Sequence, residues 1–113
     1  MVRNWTKEAA GQLKLLREKW AIAFPVKDED VRPLALGATG EIAAAMGWSI
    51  PYTLSVLRHW KMTAAYCNAI LRYEVRIDLD GVPTEAVGAR AKNLAAKHLR
   101  RIRNGGARCW RYV

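Results

Sequence analysis

The residues best suited to chemistry form one run, Arg76-Ile77-Asp78-Leu79-Asp80-Gly81. Its two aspartates make an Asp-x-Asp pair, which within a larger acidic cluster can hold a divalent cation for phosphoryl transfer. No such cluster accompanies the pair, so we expect its carboxylates to accept hydrogen bonds that fix a turn. The two histidines, His59 and His98, lack cysteine or acidic partners at ligand spacing. The sequence therefore predicts neither an enzyme nor a site for a metal, a cofactor or a small-molecule substrate.

The same run predicts a β-hairpin near residues 73–83. Alternation in an extended segment places Arg76 and both aspartates on one face, opposite the apolar residues between them. Asp80-Gly81 indicates a type I′ turn, because both central residues of that turn need positive φ. Pro83 lacks a backbone N–H, so the return strand is expected to be a short edge piece. The residues expected to shape the hairpin are Asp78, Asp80 and Gly81.

The positive charge is concentrated in the last quarter of the chain. The 113 residues carry a formal net charge of +9, yet residues 1–85 contain 11 Lys/Arg against 10 Asp/Glu. Residues 86–113 contain 8 Lys/Arg and no acid. Ordinary soluble surfaces mix both signs, so this distribution favours a polyanionic partner, either nucleic acid or an anionic membrane surface.

Length and composition indicate a single globular domain. A hydrophobic share of 51% argues against disorder, and no apolar run approaches the ~20 residues that span a membrane. Cys67 and Cys109 are too few for a disulfide framework and too far apart for a metal pair. A reducing cytoplasm is therefore the expected compartment.

About five helices are expected around the hairpin, which makes the predicted fold mostly α. Apolar residues at helical spacing predict a first helix that begins after Asn4 or Thr6 and is stopped by Pro25. A charged loop follows, and Gly47 and Ser49 separate the next two helices. The predicted helices before the hairpin span residues 6–23, 37–46, 49–60 and 62–71.

The longest helix is predicted to begin at Thr84, as N-cap, and to end near Arg103 before Asn104 and two glycines. Its packed face is expected to contain Val87, Ala91, Leu94, Ala95, His98 and Ile102. Arg90, Lys97 and Arg101 form a stripe along one edge of that face, and Lys92 and Arg103 lie beyond the other. Cationic rows of this kind suit the phosphates of a nucleic acid.

A basic, aromatic tail ends the sequence at 104–113. Arg108, Trp110, Arg111 and Tyr112 interleave cations with rings, a composition suited to stacking on bases.

The order and spacing of several segments resemble those of the FinO/ProQ family of bacterial RNA chaperones. These segments are Phe24-Pro25, Arg32-Pro33-Leu34-Ala35-Leu36-Gly37, Tyr66 ten residues before Arg76, and Asp78-Leu79-Asp80-Gly81. The resemblance extends from about Phe24 to Arg103. It implies an N-terminal helix at 1–23 and a compact RNA-binding domain of the FinO/ProQ type at 24–103, with the tail after it.

The resemblance also implies a function and a set of contact residues. Members of the family bind structured RNA, including small RNAs and terminator-like 3′ ends, in post-transcriptional regulation. In the family a tyrosine and an arginine at the positions of Tyr66 and Arg76 line a pocket for RNA 3′ ends. The expected RNA-binding residues are Tyr66, Arg76, Arg32, Gly37, Arg58, Lys61, Arg90, Lys97 and Arg101.

Two features depart from the family pattern, and one suggests a different function. Ala35 stands where family members commonly have lysine, and the third helix is less basic than usual. The alternative is a DNA-binding regulator, because Glu41–Gly47 followed by Ser49–Leu57 has the form of a helix-turn-helix. Its recognition helix would offer no cation before Arg58. A scaffold or membrane-surface role for the basic helix is a third possibility, weakened by its lack of a strongly apolar opposite face.

Overall fold

A computed structural model describes residues 4–105 of the chain. Five α-helices surround one antiparallel hairpin, so the expected mostly helical fold is confirmed. A 3₁₀ turn at Asp28–Asp30 interrupts the loop between the first two helices. The elements are α1 (Trp5–Lys19), α2 (Ala38–Met46), α3 (Ile50–Lys61), α4 (Ala64–Arg72), β1 (Val75–Ile77), β2 (Pro83–Ala86) and α5 (Ala89–Gly105).

Helix α1 starts where its sequence predicts but ends four residues early. The side chain of Asn4 accepts a hydrogen bond from the Lys7 N–H and so acts as the N-cap. The prediction of helix as far as residue 23 was wrong. After Lys19 the chain turns, which buries Phe24 against Trp60 with 5.4 Å between the ring centroids. Burial of a phenyl ring outweighs the few helical hydrogen bonds that the turn gives up.

The middle helices follow their local signals closely. Gly47 ends α2 in the left-handed conformation with φ of 70°, and the Ser49 hydroxyl caps α3 by accepting from the Tyr52 N–H. Helix α4 begins at Ala64, two residues later than predicted, because Thr63 caps it by accepting from the Tyr66 N–H. That cap fixes where Tyr66 lies on the helix.

The hairpin turn differs from the prediction of type I′. Gly81 has φ of 88°, whereas no described residue other than glycine has positive φ, so Asp80 does not fit that turn. The Gly81 N–H instead donates to the Asp78 carbonyl, and the Asp78 N–H donates to the Val82 carbonyl. This is a three-residue loop closed by a glycine bulge. One Asp78 carboxylate oxygen accepts from the N–H groups of Asp80 and Val82, at 2.9 Å each.

A third extended segment pairs with the free edge of β1. The Ala35 N–H donates to the Ile77 carbonyl at 2.7 Å, and the Ile77 N–H donates to the Pro33 carbonyl at 2.8 Å. Leu34 and Ile77 form the resulting parallel bridge. Strand β1 is therefore central, with β2 on one side and the loop before α2 on the other.

The start of the last helix was predicted wrongly. Thr84 is not an N-cap, because residues 83–86 form β2, and α5 begins at Ala89. The backbone of this segment pairs with Val75 and Ile77, and that pairing overrides a local Thr-Glu helix signal. The packed face also differs in part: Leu99 is buried beside Ala95, whereas Leu94 is 57% exposed.

One hydrophobic core joins all five helices. Leu16 of α1, Ile42 of α2, Leu57 of α3 and Ile70 of α4 are buried together with Leu99 of α5. Helix α1 packs along α3, and α5 packs along α4. Within residues 4–105, no helix has the length and apolar character that crossing a membrane requires.

Candidate nucleic-acid interface

A cleft of about 600 Å³ opens between α3 and α5, with parts of α4 and β1 in its lining. That volume lies within the usual range of small-ligand sites. The predicted residues that line the cleft are Arg58, Lys61, Tyr66, Arg76, Lys97 and Arg101. Three helices and one strand thus bring together residues that are far apart in the sequence.

The wall of the cleft is organised around the backbone of Leu34. Pairing with β1 uses the polar groups of Pro33 and Ala35, which leaves the N–H and C=O of Leu34 without backbone partners. Both groups are buried, so each needs a side-chain partner. The Leu34 N–H donates to the Tyr66 hydroxyl at 3.0 Å, and Arg76 Nη1 donates to the Leu34 carbonyl at 3.0 Å. These bonds fix Tyr66 and Arg76 beside each other.

Both of these side chains are buried. Tyr66 is 4% exposed and belongs to the core, so its ring offers little free face to a stacked base. Burial raises the pKa of Tyr66, which keeps the phenol neutral. Arg76 is 9% exposed, and its Nε has no hydrogen-bond partner within residues 4–105. Among residues 4–105, no carboxylate forms an ion pair with Arg76.

The rest of the cleft is strongly cationic. Arg58 and Lys61 extend from α3, and Lys97 and Arg101 extend from α5. No aspartate or glutamate is among the described residues that line the cleft. Burial, and secondarily the charge of Arg76, lower the pKa of Lys61. Like charges are therefore held together in a partly desolvated space, where an anion would be stabilised.

Apolar side chains complete the lining, and sequence patterns gave no signal for most of them. Leu36, Leu54 and Leu94 are each at least half exposed, and all three border the cleft. Leu94 had been assigned to the packed face of the last helix. Cys67 also lies here, and burial raises its pKa to about 11, so the thiol stays protonated at neutral pH. Exposed leucines beside cations suit a ligand with apolar faces and a charged backbone.

Three predicted contact residues lie outside the cleft lining. The Arg32 guanidinium stacks 4.2 Å from the Tyr73 ring centroid, which is a cation–π contact. Gly37 is exposed just before α2, and Arg90 is exposed in the first turn of α5. The described geometry does not bring these residues together with Tyr66 and Arg76.

Lys92 is held within the protein rather than facing a ligand. Its ammonium donates to the carbonyls of Ile70, Leu71 and Tyr73, at 3.0 to 3.2 Å. These carbonyls belong to the last turn of α4 and the residue after it, which lack intrahelical partners. An ion pair with Glu74 at 3.4 Å adds to the contact. Lys92 thus joins α5 to the end of α4, and the sequence had treated it only as a cationic flank.

The remaining sequence predictions concern a metal site, His98 and the aromatic tail. Among residues 4–105, no group of three His, Cys, Asp or Glu side chains has the geometry to hold a metal ion. His98 Nε2 lies 3.0 Å from the Met62 carbonyl, and so links α5 to the end of α3. The aromatic tail residues Arg108, Trp110, Arg111 and Tyr112 lie outside the described residues.

The comparisons with known proteins agree with this fold. Among solved structures, the chain resembles NMB1681 from Neisseria meningitidis MC58, described as a FinO-like RNA chaperone, with a TM-score of 0.64. The two are 21% identical, over 82% of this chain and 95% of that one. The comparison with curated protein sequences gives no match. A model of the ProQ/FINO family matches residues 6–109. The chain therefore belongs to the ProQ/FinO family of RNA chaperones.

Proposed function

We propose that this protein binds RNA hairpins that carry a single-stranded 3′ tail, such as small RNAs and terminator-like mRNA ends, in post-transcriptional regulation. The tail enters the cleft between α3 and α5, and the duplex lies on the neighbouring cationic surface. A-form RNA has a major groove too narrow for side chains, so the duplex is recognised by shape and phosphate contacts. An RNA partner of this kind keeps the cytoplasm as the predicted compartment.

The observation that carries the proposal is the cleft in which five cations meet, with no carboxylate among the described residues that line it. Phosphates supply the missing negative charge, and the exposed leucines accept the faces of unpaired bases. Arg76 lines the cleft, and its Nε is a buried donor without a partner among the described residues, so a shift of the side chain would let it donate to an RNA oxygen. A buried donor without a partner costs about 1 to 3 kcal/mol, which a bound oxygen atom recovers.

The DNA-binding alternative receives less support from the same geometry. In a helix-turn-helix protein, α3 would enter the major groove. Thr53, Val56, Leu57 and Trp60 of α3 are buried in the core. Its exposed Leu54 and Arg58 border the cleft opposite α5.

Binding measurements on four ligands test the proposal. They are a hairpin with a 3′ tail, the same hairpin without the tail, the tailed hairpin with a 3′ phosphate, and a DNA duplex of equal length. We expect the tailed hairpin to bind most tightly. Affinity should fall steeply between roughly 50 and 200 mM salt, because several phosphates release counterions. Equal affinity for all four ligands would contradict the proposal.

A matched pair of substitutions assigns the effect to the cleft. Lys61→Met and Arg72→Met each remove one positive charge, but only Lys61 lines the cleft. Lys61→Met should weaken binding of the tailed hairpin more than binding of the tailless one. Arg72→Met should have a small and equal effect on both. Equal effects of the two variants would assign affinity to net charge alone and would exclude a tail site in the cleft.

A further inference from the structure

Glu85 makes a contact that the family pattern did not lead us to expect. It lies on β2, and its Oε2 accepts a hydrogen bond of 2.5 Å from the Leu36 N–H. Leu36 lines the cleft and lies within the turn in which the Ala38 N–H donates to the Ala35 carbonyl at the start of α2. A carboxylate therefore occupies a backbone donor near the positive end of that helix.

The carboxylate also interacts with the charge of the cleft. The hydrogen bond from Leu36 is the main cause that holds the pKa of Glu85 below its ordinary value, and Arg76 contributes to the same effect. The group is thus charged at neutral pH, on the border of a site whose described lining contains no acid. Beside it, the Nε of the 9% exposed Arg76 has no partner in the part of the chain that the structure describes. One donor group of the region is occupied from within the protein, and another donates to none of the described residues.

We propose that Glu85 is an internal anion that holds the Leu36 N–H until a phosphodiester of the RNA tail displaces it. This inference rests on the proposed entry of a tail into the cleft. The Leu36 N–H and the Arg76 guanidinium then bind the incoming phosphate together. Displacement of a hydrogen-bonded carboxylate opposes binding, so Glu85 lowers the affinity of every ligand that enters the cleft. It does not affect ligands that bind outside the cleft. It acts as a selectivity residue.

Glu85→Gln tests the displacement with little change of shape. Glutamine keeps an oxygen that can accept from Leu36, but it carries no charge and is more easily displaced. Glu41→Gln is the matched control, because Glu41 is an exposed acid in the first turn of α2 and does not line the cleft. Both substitutions remove one negative charge near the same helix end.

We expect Glu85→Gln to raise affinity for the tailed hairpin about fivefold, which is what one unit charge at roughly 4 Å contributes in water. The tailless hairpin should bind the variant and the parent equally. Glu41→Gln should change neither affinity by more than about twofold. A Glu85→Gln gain shared by both RNAs, or no larger than that of Glu41→Gln, would overturn the proposal. So would a loss of affinity, which would show that Glu85 only supports the fold.

The amide signal of Leu36 in NMR spectra supplies a readout that a purely structural role would not move. Free parent and free Glu85→Gln should differ at this signal, because a carboxylate accepts from the N–H in one and an amide oxygen in the other. With saturating tailed RNA the two signals should converge, since phosphate replaces both acceptors. If the Leu36 signals of the two proteins still differ as much at saturating RNA, the displacement of Glu85 is wrong, while the proposed function stands. A parent protein that does not distinguish the tailed from the tailless hairpin would overturn the proposed function as well.

Discussion

The two sides of helix α3 differ in the partners of their polar side chains. On the side facing α1, the Tyr52 hydroxyl donates to Glu8 at 2.6 Å and accepts from Gln12 Nε2 at 2.8 Å. The Tyr52 ring packs edge-on against Trp5, with 5.7 Å between centroids. On the side facing the cleft, Arg58 and Lys61 lie among other cations, with no carboxylate in the described lining.

The difference separates a surface that serves the fold from one that we propose serves a ligand. Where α1 docks on α3, polar groups find partners inside the chain, which keeps the cost of burying them low. In the cleft, positive charges are brought together, and burial together with the charge of Arg76 lowers the pKa of Lys61. Clustered like charges oppose folding, and we propose that RNA phosphates offset them.

The largest expected effect comes from removing the cations of α5. Lys97→Ala together with Arg101→Ala should lower the slope of log affinity against log salt by up to ~2. Stability should change by less than about 0.5 kcal/mol for each exposed position. Salt titrations of RNA binding and denaturant unfolding of the same variant measure the two quantities. An unchanged slope would show that this wall of the cleft does not contact phosphate.

Two lysines of α5 are expected to differ in role, with Lys92 supporting the fold and Lys97 contacting RNA. Lys92→Met should lower the free energy of unfolding by about 2 kcal/mol, because three carbonyls lose a charged donor. Lys97→Met, on the same helix, should be nearly neutral for stability and should weaken RNA binding. Urea unfolding and binding of the tailed hairpin check both variants. If the two substitutions have equal effects on the free energy of unfolding or on RNA affinity, the proposed difference between Lys92 and Lys97 is wrong.

A second pair of variants compares Tyr66, which lines the cleft, with Tyr52, which contacts α1. Tyr66→Phe leaves the buried Leu34 N–H without an acceptor, so unfolding should cost about 1 to 3 kcal/mol less. Tyr52→Phe should lose only about 1 kcal/mol, since its partners lie at a half-buried site where water can replace the hydroxyl. RNA binding by folded Tyr52→Phe should equal that of the parent. A weakened Tyr52→Phe would place RNA on the α1 side as well.

The smallest expected effect is a pH dependence that comes from Lys61. Its pKa is lowered in the free protein, and a bound phosphate would favour the charged form and raise it again. Binding therefore takes up a proton when the pH lies above the lowered value, so affinity should fall as pH rises toward the ordinary lysine value of 10.5. Lys61→Arg stays charged and should show less of this fall. Identical pH profiles would remove Lys61 from the phosphate site.

Local signals predicted most of the framework of the fold. Asn4 and Ser49 cap the helices that their sequence positions indicate, and Gly47 ends α2 as expected. The prediction of Thr84 as an N-cap failed, because the segment that contains this cap pattern pairs as a strand with Val75 and Ile77. Helix α1 was overextended because its apolar spacing continues to Phe24, which is buried after a turn instead.

The site was less accessible to sequence reasoning than the fold. Cationic stripes pointed to Lys97 and Arg101, and family resemblance singled out Tyr66 and Arg76. Nothing local marked Glu85 as the partner of Leu36, since their contact depends on β2 lying beside a loop 49 residues earlier. Charge counts alone also gave no way to tell that Lys92 binds carbonyls within the protein while Lys97 lines the cleft.

The bridge between Leu34 and β1 has a consequence for the order in which the protein matures. Arg76 lies 42 residues after the carbonyl that it binds, so the nascent chain cannot complete this wall until β1 has left the ribosome. At about 5 to 20 residues per second, that delay amounts to a few seconds of synthesis. Lys97 and Arg101 emerge later still. A chain synthesised only as far as β1 therefore has no assembled cleft, and the proposed engagement of an RNA tail requires that residues through Arg101 have left the ribosome.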